Sequence, residues 1–425
     1  MSWKIDAGQT VQSRMPNSFV ANDATKYAVI TELDRFGRPV TSTGPDRGKS
    51  TAVFDDLGRV RFAQDAVGAQ PTPSQFFHYR DYDREGRVTQ TGLVVGPNWD
   101  AAKLQAAAAY PAWRTRQGVR ASWRCDQAPA SPNLVDSSGN GLTGTFGGSS
   151  TFRPQFEAGG PNGLGNCLRF NRSQGTRVEI GQPAALQNLE AITISAWVKI
   201  GNMDGDAGIV VGGSGSGYIS LAYRKGPPSS LDFVVGSTSL RAVLSDPQKT
   251  GWVHVVAVQA NGSVGRLYLD GIVAIGTGPR TLPSGVTWMI GGSTNGTTAS
   301  SFFDGWLRDV RIYPTDLAEG AIRALYFEGL TRPSSAFSYD LHPGASISEF
   351  NGLPTALLTY NRPVTDAGRP DLANPAEGLV AERYRYDVNG RVTSQIMKVP
   401  DFDGTERTIG YRYDALGNVV QVIYP

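Results

Sequence analysis

Leu33-Asp34-Arg35-Phe36-Gly37-Arg38, Phe54-Asp55-Asp56-Leu57-Gly58-Arg59 and Tyr82-Asp83-Arg84-Glu85-Gly86-Arg87 repeat one pattern: an apolar or aromatic residue, Asp, two variable residues, Gly, Arg. The pattern returns near the C-terminus as Tyr386-Asp387-Val388-Asn389-Gly390-Arg391 and Tyr413-Asp414-Ala415-Leu416-Gly417-Asn418. The Asp-to-Asp steps are 21, 28 and 27 residues (34 to 55, 55 to 83, 387 to 414). Repetition at this period marks small units that bury a core only by stacking on one another. In Tyr384-Arg385-Tyr386-Asp387 and Tyr411-Arg412-Tyr413-Asp414 the rings alternate with period two, so both face one side of a strand. Asp is suited to hydrogen-bond the turn backbone, and Gly tolerates positive φ. The β-favouring residues after the Gly-Arg restart a strand, so each unit reads as a β-hairpin.

These segments, over roughly residues 27–98 and 380–425, resemble the YD repeats of the Rhs family, shared with toxin-complex shell subunits and teneurins. Leu33 and Phe54 stand where the pattern has Tyr, and Asn418 where it has Arg. The resemblance implies hairpins aligned edge to edge in a spiralling sheet. The Asp-Pro-x-Gly self-cleavage motif of many Rhs shells is missing.

Working outward, Asp100–Ala109 reads as a short helix: Asp suits the cap, Ala has the highest propensity, and Pro111 ends it. From Val119 to about Gly329 strands and turns alternate at sandwich spacing. Ile192, Ile194, Ala196 and Val198 share one strand face, with Trp197 on the other. Trp197, Trp252 and Trp306 are read as core. Thr315-Asp316-Leu317-Ala318-Glu319 has a helix-capping signature. Trp123-Arg124-Cys125-Asp126, Ser195-Ala196-Trp197-Val198, Gly251-Trp252-Val253-His254, Leu267-Tyr268-Leu269-Asp270-Gly271 and Phe303–Tyr313 occur in the order found in the laminin-G-like, concanavalin-A-like jelly roll, which this region resembles. The fold class is therefore all-β: an antiparallel YD-repeat hairpin sheet interrupted by a laminin-G-like jelly-roll β-sandwich. The expected organisation is repeats at 1–98, a helical linker at 99–118, the jelly roll at 119–329, a linker rich in Ser, Pro and Gly returning to the repeats at 330–379, and repeats at 380–425.

The jelly-roll resemblance implies a structural Ca²⁺ site with Asp126, Asp136, Asn140 and Asp309 as oxygen donors. The alternative is that Asp136 and Asn140 shape a turn and Asp309 is a surface charge. The polar, Gly-rich loops at 202–217, 224–230 and 293–304 carry or adjoin Tyr218, Tyr223, Trp288, Asn295 and Phe302, a set suited to sugar stacking and hydroxyl recognition. Core packing is the alternative for the rings.

The 425 residues carry a formal net charge of +2, too weak a field to attract nucleic acid. No apolar run reaches the roughly 18 residues of a membrane helix. The N-terminus lacks a signal-peptide core, which leaves an export signal outside this sequence or a route needing none. Cys125 and Cys167 are the only cysteines; one bridge and two separate buried thiols both fit. The three histidines, His78, His254 and His342, lack a neighbouring Ser or Cys nucleophile context, and no paired-acid strand motif is recognisable. The expectation is a non-enzymatic secreted or cell-surface segment that binds a glycan or surface ligand. The alternative is a structural subunit of a shell or fibre, built by sheet-edge pairing with other repeats or copies of itself. A polysaccharide hydrolase is the third reading.

Overall fold

A computed structural model describes residues 3–6, 10–14, 28–45, 48–66, 69, 76–83, 86–95, 101–147, 153–161, 163, 165–202, 204–213, 217–294, 299–339, 354–360, 379–386, 391–398, 406–414 and 417–425. The chain divides into two units, Met1–Trp113 with Leu330–Pro425, and Arg114–Gly329.

Among the described residues, the first unit is one antiparallel sheet of fourteen strands in chain order. Eight strands precede the second unit and six follow it. The strand before it, Val88–Val95, pairs directly with the strand after it, Thr331–Tyr339, with Val94 opposite Thr331 and Leu93 opposite Arg332. Both repeat stretches thus belong to a single sheet. The expected linker after residue 330 is a correction: it supplies the strands Thr331–Tyr339 and Pro354–Tyr360. Pro333 lacks a ladder donor, and the register shifts between Pro333 and Ser335, which is how a proline is tolerated inside a pair.

The turns explain the repeat. Asp55 Oδ1 accepts from the backbone N–H groups of Leu57 (3.0 Å) and Arg59 (2.8 Å), and Oδ2 accepts from Arg59 Nε (2.7 Å). Asp34 does the same with Phe36 and Arg38. Asp414 holds the Asn418 backbone N–H (2.8 Å) and Nδ2 (3.0 Å), so the amide keeps the clasp without the charge. Gly37, Gly58, Gly86 and Gly417 lie at φ of +77°, +79°, +87° and +88°, where only glycine is unstrained.

The arginine also reaches forward to the next hairpin. Arg38 stacks over Phe54 (4.7 Å) and Arg59 over Tyr82 (4.4 Å), while Arg391 stacks over Tyr413 (4.7 Å) and donates to the Asp414 carbonyl (3.3 Å). Tyr82 and Tyr413 each return a hydroxyl hydrogen bond, to the carbonyls of Val60 and Val392, both at 2.8 Å. The same interlock therefore occurs in both stretches. The helix Ala101–Ala108 belongs to this unit: Leu104, Ala107 and Ala108 are buried, and Gln105 donates to the Phe54 carbonyl (2.8 Å).

Among the described residues, the second unit is a sandwich of an eight-stranded antiparallel sheet and a second sheet with seven strands in one path and Ala121–Trp123 paired alongside Gly305–Tyr313. The eight-stranded order is Asn133–Leu134, Gly144–Gly147, Arg177–Gly181, Thr287–Ile290, Ala207–Gly213, Tyr218–Arg224, Ser230–Val235, Thr238–Val243. The central strands of the other sheet are Gly305–Tyr313, Ala191–Ile200 and Trp252–Ala260. Alternation sends Ile192, Ile194, Ala196 and Val198 between the sheets with Leu221, Phe233 and Trp288. Trp197, on the opposite face, stacks on Tyr326 (5.5 Å between ring centres) of the helix Glu319–Leu330. That helix begins at the last residue of the expected capping segment.

Two of the tryptophans read as core are instead half-buried. Trp252 donates to the Gly159 carbonyl (3.2 Å). Trp306 donates to Glu157 Oε2 (2.8 Å) under Arg169 and Lys199, because each indole has a polar partner at the sheet rim. Cys125 and Cys167 are free buried thiols, each donating to a backbone carbonyl.

The clasp predicts a graded response in urea unfolding of this chain. Asp55 is buried, so Asp55→Ala strands two N–H groups and a guanidinium and should cost about 2 kcal/mol. Asp55→Asn, which keeps the backbone acceptor, should cost less than half of that. Equal losses would contradict the assignment.

Candidate functional site

Period two on the strand Tyr218–Arg224 sends Ile219, Leu221 and Tyr223 into the core. Tyr218, Ser220, Ala222 and Arg224 take the outer face of the eight-stranded sheet. Register aligns Ala222, Asp232 and Arg241 across three strands, flanked by the row Ser220, Val234, Ser239 and the row Arg224, Ser230, Val243. Asp232 is fully buried at the centre. Its Oδ1 accepts from Ser230 Oγ (2.7 Å), and its Oδ2 from Ser239 Oγ (3.0 Å) and from Arg241 Nε and Nη2 (both 3.3 Å). Arg224 lies 3.8 Å away and pairs with Asp206 at 2.9 Å.

Burial alone would raise the Asp206 carboxyl. The Lys225 backbone N–H and the Arg224 side chain outweigh it and hold the group below its usual range. Ser220 Oγ is buried and has no hydrogen-bond partner among the described residues. A buried carboxylate, two arginines and a hydroxyl with unused bonding capacity thus share one outward face.

A short hairpin, Ser293–Thr294 with Ala299–Ser300, borders this face. Tyr218 Oη lies 3.3 Å from Ser293 Oγ. Gly208 permits the approach, since a Cβ there would meet the Gly292 carbonyl oxygen at 2.5 Å. The neighbouring loops are fixed by Arg172, which donates from Nε to the Phe302 carbonyl (3.0 Å) and from Nη2 to the Gly205 carbonyl (2.5 Å). Asp304 accepts from the Arg172 backbone N–H (3.2 Å) and from Arg169 (2.9 Å).

Of the expected ligand residues, Tyr218 and Phe302 are partly exposed beside this hairpin. Tyr223 and Trp288 are corrections. Both are buried in the inter-sheet core, where the strand phase directs them, and Trp288 Nε1 is satisfied by the Leu186 carbonyl (3.2 Å). Asn295 lies outside the described residues. No motif marks Asp232, Ser220 and Arg241 in the sequence; their alternation with core residues is the signal it carries.

The residues assigned to calcium have partners within the chain. Asp136 accepts from the backbone N–H groups of Ser122 (3.0 Å), Ser138 (2.9 Å) and Leu142 (2.9 Å) and from Ser138 Oγ (2.7 Å). Burial raises the Asp136 carboxyl, but those N–H bonds outweigh it and lower it overall. Asn140 Nδ2 donates to the Arg120 carbonyl (2.9 Å), and Asp126 pairs with Arg124 (2.9 Å). Burial likewise works against the charge on Asp309, yet the two-pronged Arg311 contact (2.8 and 2.7 Å) keeps it ionised. Among the described residues no three His, Cys, Asp or Glu side chains form a metal cluster.

One pair resembles catalytic chemistry. Ser195 Oγ lies 3.0 Å from His254 Nε2, brought there by cross-strand pairing that the linear sequence hides. Both are buried, next to Trp197 and Tyr326, and His254 Nδ1 has no hydrogen-bond partner among the described residues. Among the described residues no carboxylate hydrogen-bonds to the ring, and the Ser195 side chain is buried.

Residues 172–323 match the family described as the concanavalin A-like lectin/glucanases superfamily. No curated protein matches the chain. Among solved structures, similarity extends to domain 4 of an extracellular GH43 arabinanase from Geobacillus stearothermophilus in complex with arabinotriose. That match has 19% identity and TM-score 0.37, and covers 49% of this chain and 98% of the other. The binding domain of botulinum neurotoxin DC in complex with rat synaptotagmin II gives 14% identity and TM-score 0.40, covering 71% and 75%.

Two measurements test these environments. Saturating calcium or a chelator should leave the thermal midpoint within about 1 °C, whereas a calcium-dependent rise of several degrees would contradict the donor assignments. Burial pushes His254 from 6.5 down to about 3. The unfolded chain therefore binds the extra proton between those values, and stability should fall as pH drops through that window. His254→Gln should flatten this dependence in urea titrations at pH 7 and 4.5; an unchanged slope would refute it. The sandwich unit is thus a laminin-G-like, concanavalin A-like jelly roll, matched over residues 172–323, in an all-β chain.

Proposed function

We propose that this chain is a non-enzymatic binding segment whose jelly roll holds a carbohydrate or another hydroxyl-rich surface ligand on the outer face of its eight-stranded sheet. The observation that carries this reading is the cluster around Asp232. Its carboxylate is fixed by two serines and Arg241, Arg224 stands beside it, and the buried Ser220 hydroxyl lacks a partner among the described residues. The buried carboxylate holds the solvent-reaching Arg241 and Arg224 side chains at fixed spacing, with the partly exposed Tyr218 ring at the border, and hydroxyl recognition needs both donors and an aromatic face. The family described as lectin/glucanases is consistent with it.

The first unit reads as a YD-repeat sheet of Rhs type, supported by the recurring Asp clasp and Arg-on-aromatic step. An extracellular or cell-surface setting follows from that reading. Among the described residues no helix is long and apolar enough to cross a membrane.

The exposed strand Val419–Ile423 favours a second reading, a structural unit that pairs edge to edge with another repeat sheet. Light scattering at high concentration separates the two, since a dispersed monomer counts against assembly.

A glycan array probed with the full chain should give specific signals that Arg241→Gln and Tyr218→Ala each reduce at least about tenfold while circular dichroism shows the fold retained. No signal above background, or signals indifferent to both substitutions, would overturn the binding reading.

A further inference from the structure

The repeat sheet carries a groove for which the hairpin interlock has no use. A cavity of about 570 Å³ opens across the strands Val60–Gln64, Phe76–Tyr82 and Val88–Val95. Arg61, Ala63, His78, Arg80, Thr91 and Leu93 are among its walls. Register sets Ala63 and Leu93 on either side of His78, with Thr91 opposite Arg80. His78 and Arg80 are both exposed.

Arg61 differs from them. Its side chain is only 8% exposed, and it donates from Nη1 to Asp81 Oδ1 (2.9 Å) and to the Arg80 carbonyl. Its buried Nε has no hydrogen-bond partner among the described residues. This N–H, at the wall of the groove, has bonding capacity that an incoming acceptor can use. Asp81 does not fill that role: its oxygens are already shared with the backbone N–H groups of Tyr82 (3.1 Å) and Ala112 (3.0 and 3.2 Å). Asp81 neutralises Arg61, so Arg80, which makes no ion pair among the described residues, leaves the groove with an uncompensated positive charge. Ala63 and Leu93 supply apolar wall beside these donors.

We propose that the groove is a second binding site, taking a small ligand whose oxyanion (carboxylate or sulfate) sits on a compact body, such as an acidic monosaccharide. The oxyanion accepts from Arg61 Nε and from the Arg80 guanidinium, and the body rests against Ala63 and Leu93. Charge-assisted bonds to guanidinium groups select an anion over its neutral counterpart.

The test titrates the full chain with glucuronate, glucose and inorganic sulfate. Binding is followed through the ring resonance of His78, one of three histidines, identified by its loss in His78→Gln. That ring lies in the groove, so the readout is independent of any ligand on the jelly roll. Glucuronate is expected to shift the resonance saturably, sulfate to compete with it, and glucose to leave it unmoved. Arg80→Gln, at an exposed position, should weaken glucuronate about tenfold or more, and Ala63→Phe, which fills the groove, should abolish the shift. Sulfate alone shifting the resonance would assign the site to a free oxyanion; glucuronate alone would assign it to the acidic sugar. The proposal is overturned if no oxyanion moves the His78 signal, if glucose moves it equally, or if Arg80→Gln leaves the affinity unchanged.

Discussion

The backbone pairing between Val88–Val95 and Thr331–Tyr339 is the constraint on which the architecture depends. Two stretches that look separate in sequence become neighbours in one ladder, and everything between residues 95 and 331 is an excursion from a single turn of the sheet. Closing so long a connection costs little more entropy than closing a moderately long loop, because the cost grows only with the logarithm of length. An independently packed sandwich is therefore tolerated where a hairpin turn would otherwise stand. Among the described residues, the other strand pairings of this sheet join neighbours in the chain.

Within that sheet, Arg38 and Arg59 each have two tasks. Through Nε each closes its own turn on Asp, and through its guanidinium face it covers the aromatic ring of the next hairpin. The Tyr82 and Tyr413 hydroxyls reach back to the strands following Arg59 and Arg391. Hairpins that are marginal alone are thereby linked to their neighbours by packing as well as by ladder bonds. Asn418 keeps the first task and lacks the group needed for the second.

What the sequence revealed was what is local. The Asp-to-Arg clasp spans four residues, and glycine is required by a positive φ, so both could be read directly from the repeated pattern. The period-two alternation of Ile192–Val198 likewise gave the strand and its core face. The interlock from Arg59 to Tyr82, the contact between Ser195 and His254 and the surroundings of Asp232 depend on which strands become neighbours, and composition does not encode that. Tyr223 and Trp288 illustrate the same limit: lying near polar loops, they read as ligand platforms, yet strand phase turns both into the core. The Ser- and Pro-rich segment after residue 330 lacked a strand signature, and pairing with an existing edge made it one.

The central claim, that one continuous sheet is interrupted by the jelly roll, is tested most directly by a cross-link between the paired positions Leu93 and Arg332. Both are replaced by cysteine in a chain whose Cys125 and Cys167 have been changed to serine. The account predicts that oxidation joins them in the folded protein, so that fragments from both sides of the jelly roll stay linked after proteolysis within it until a reductant is added. Fragments that separate without reductant, from a folded and fully oxidised sample, would contradict the account.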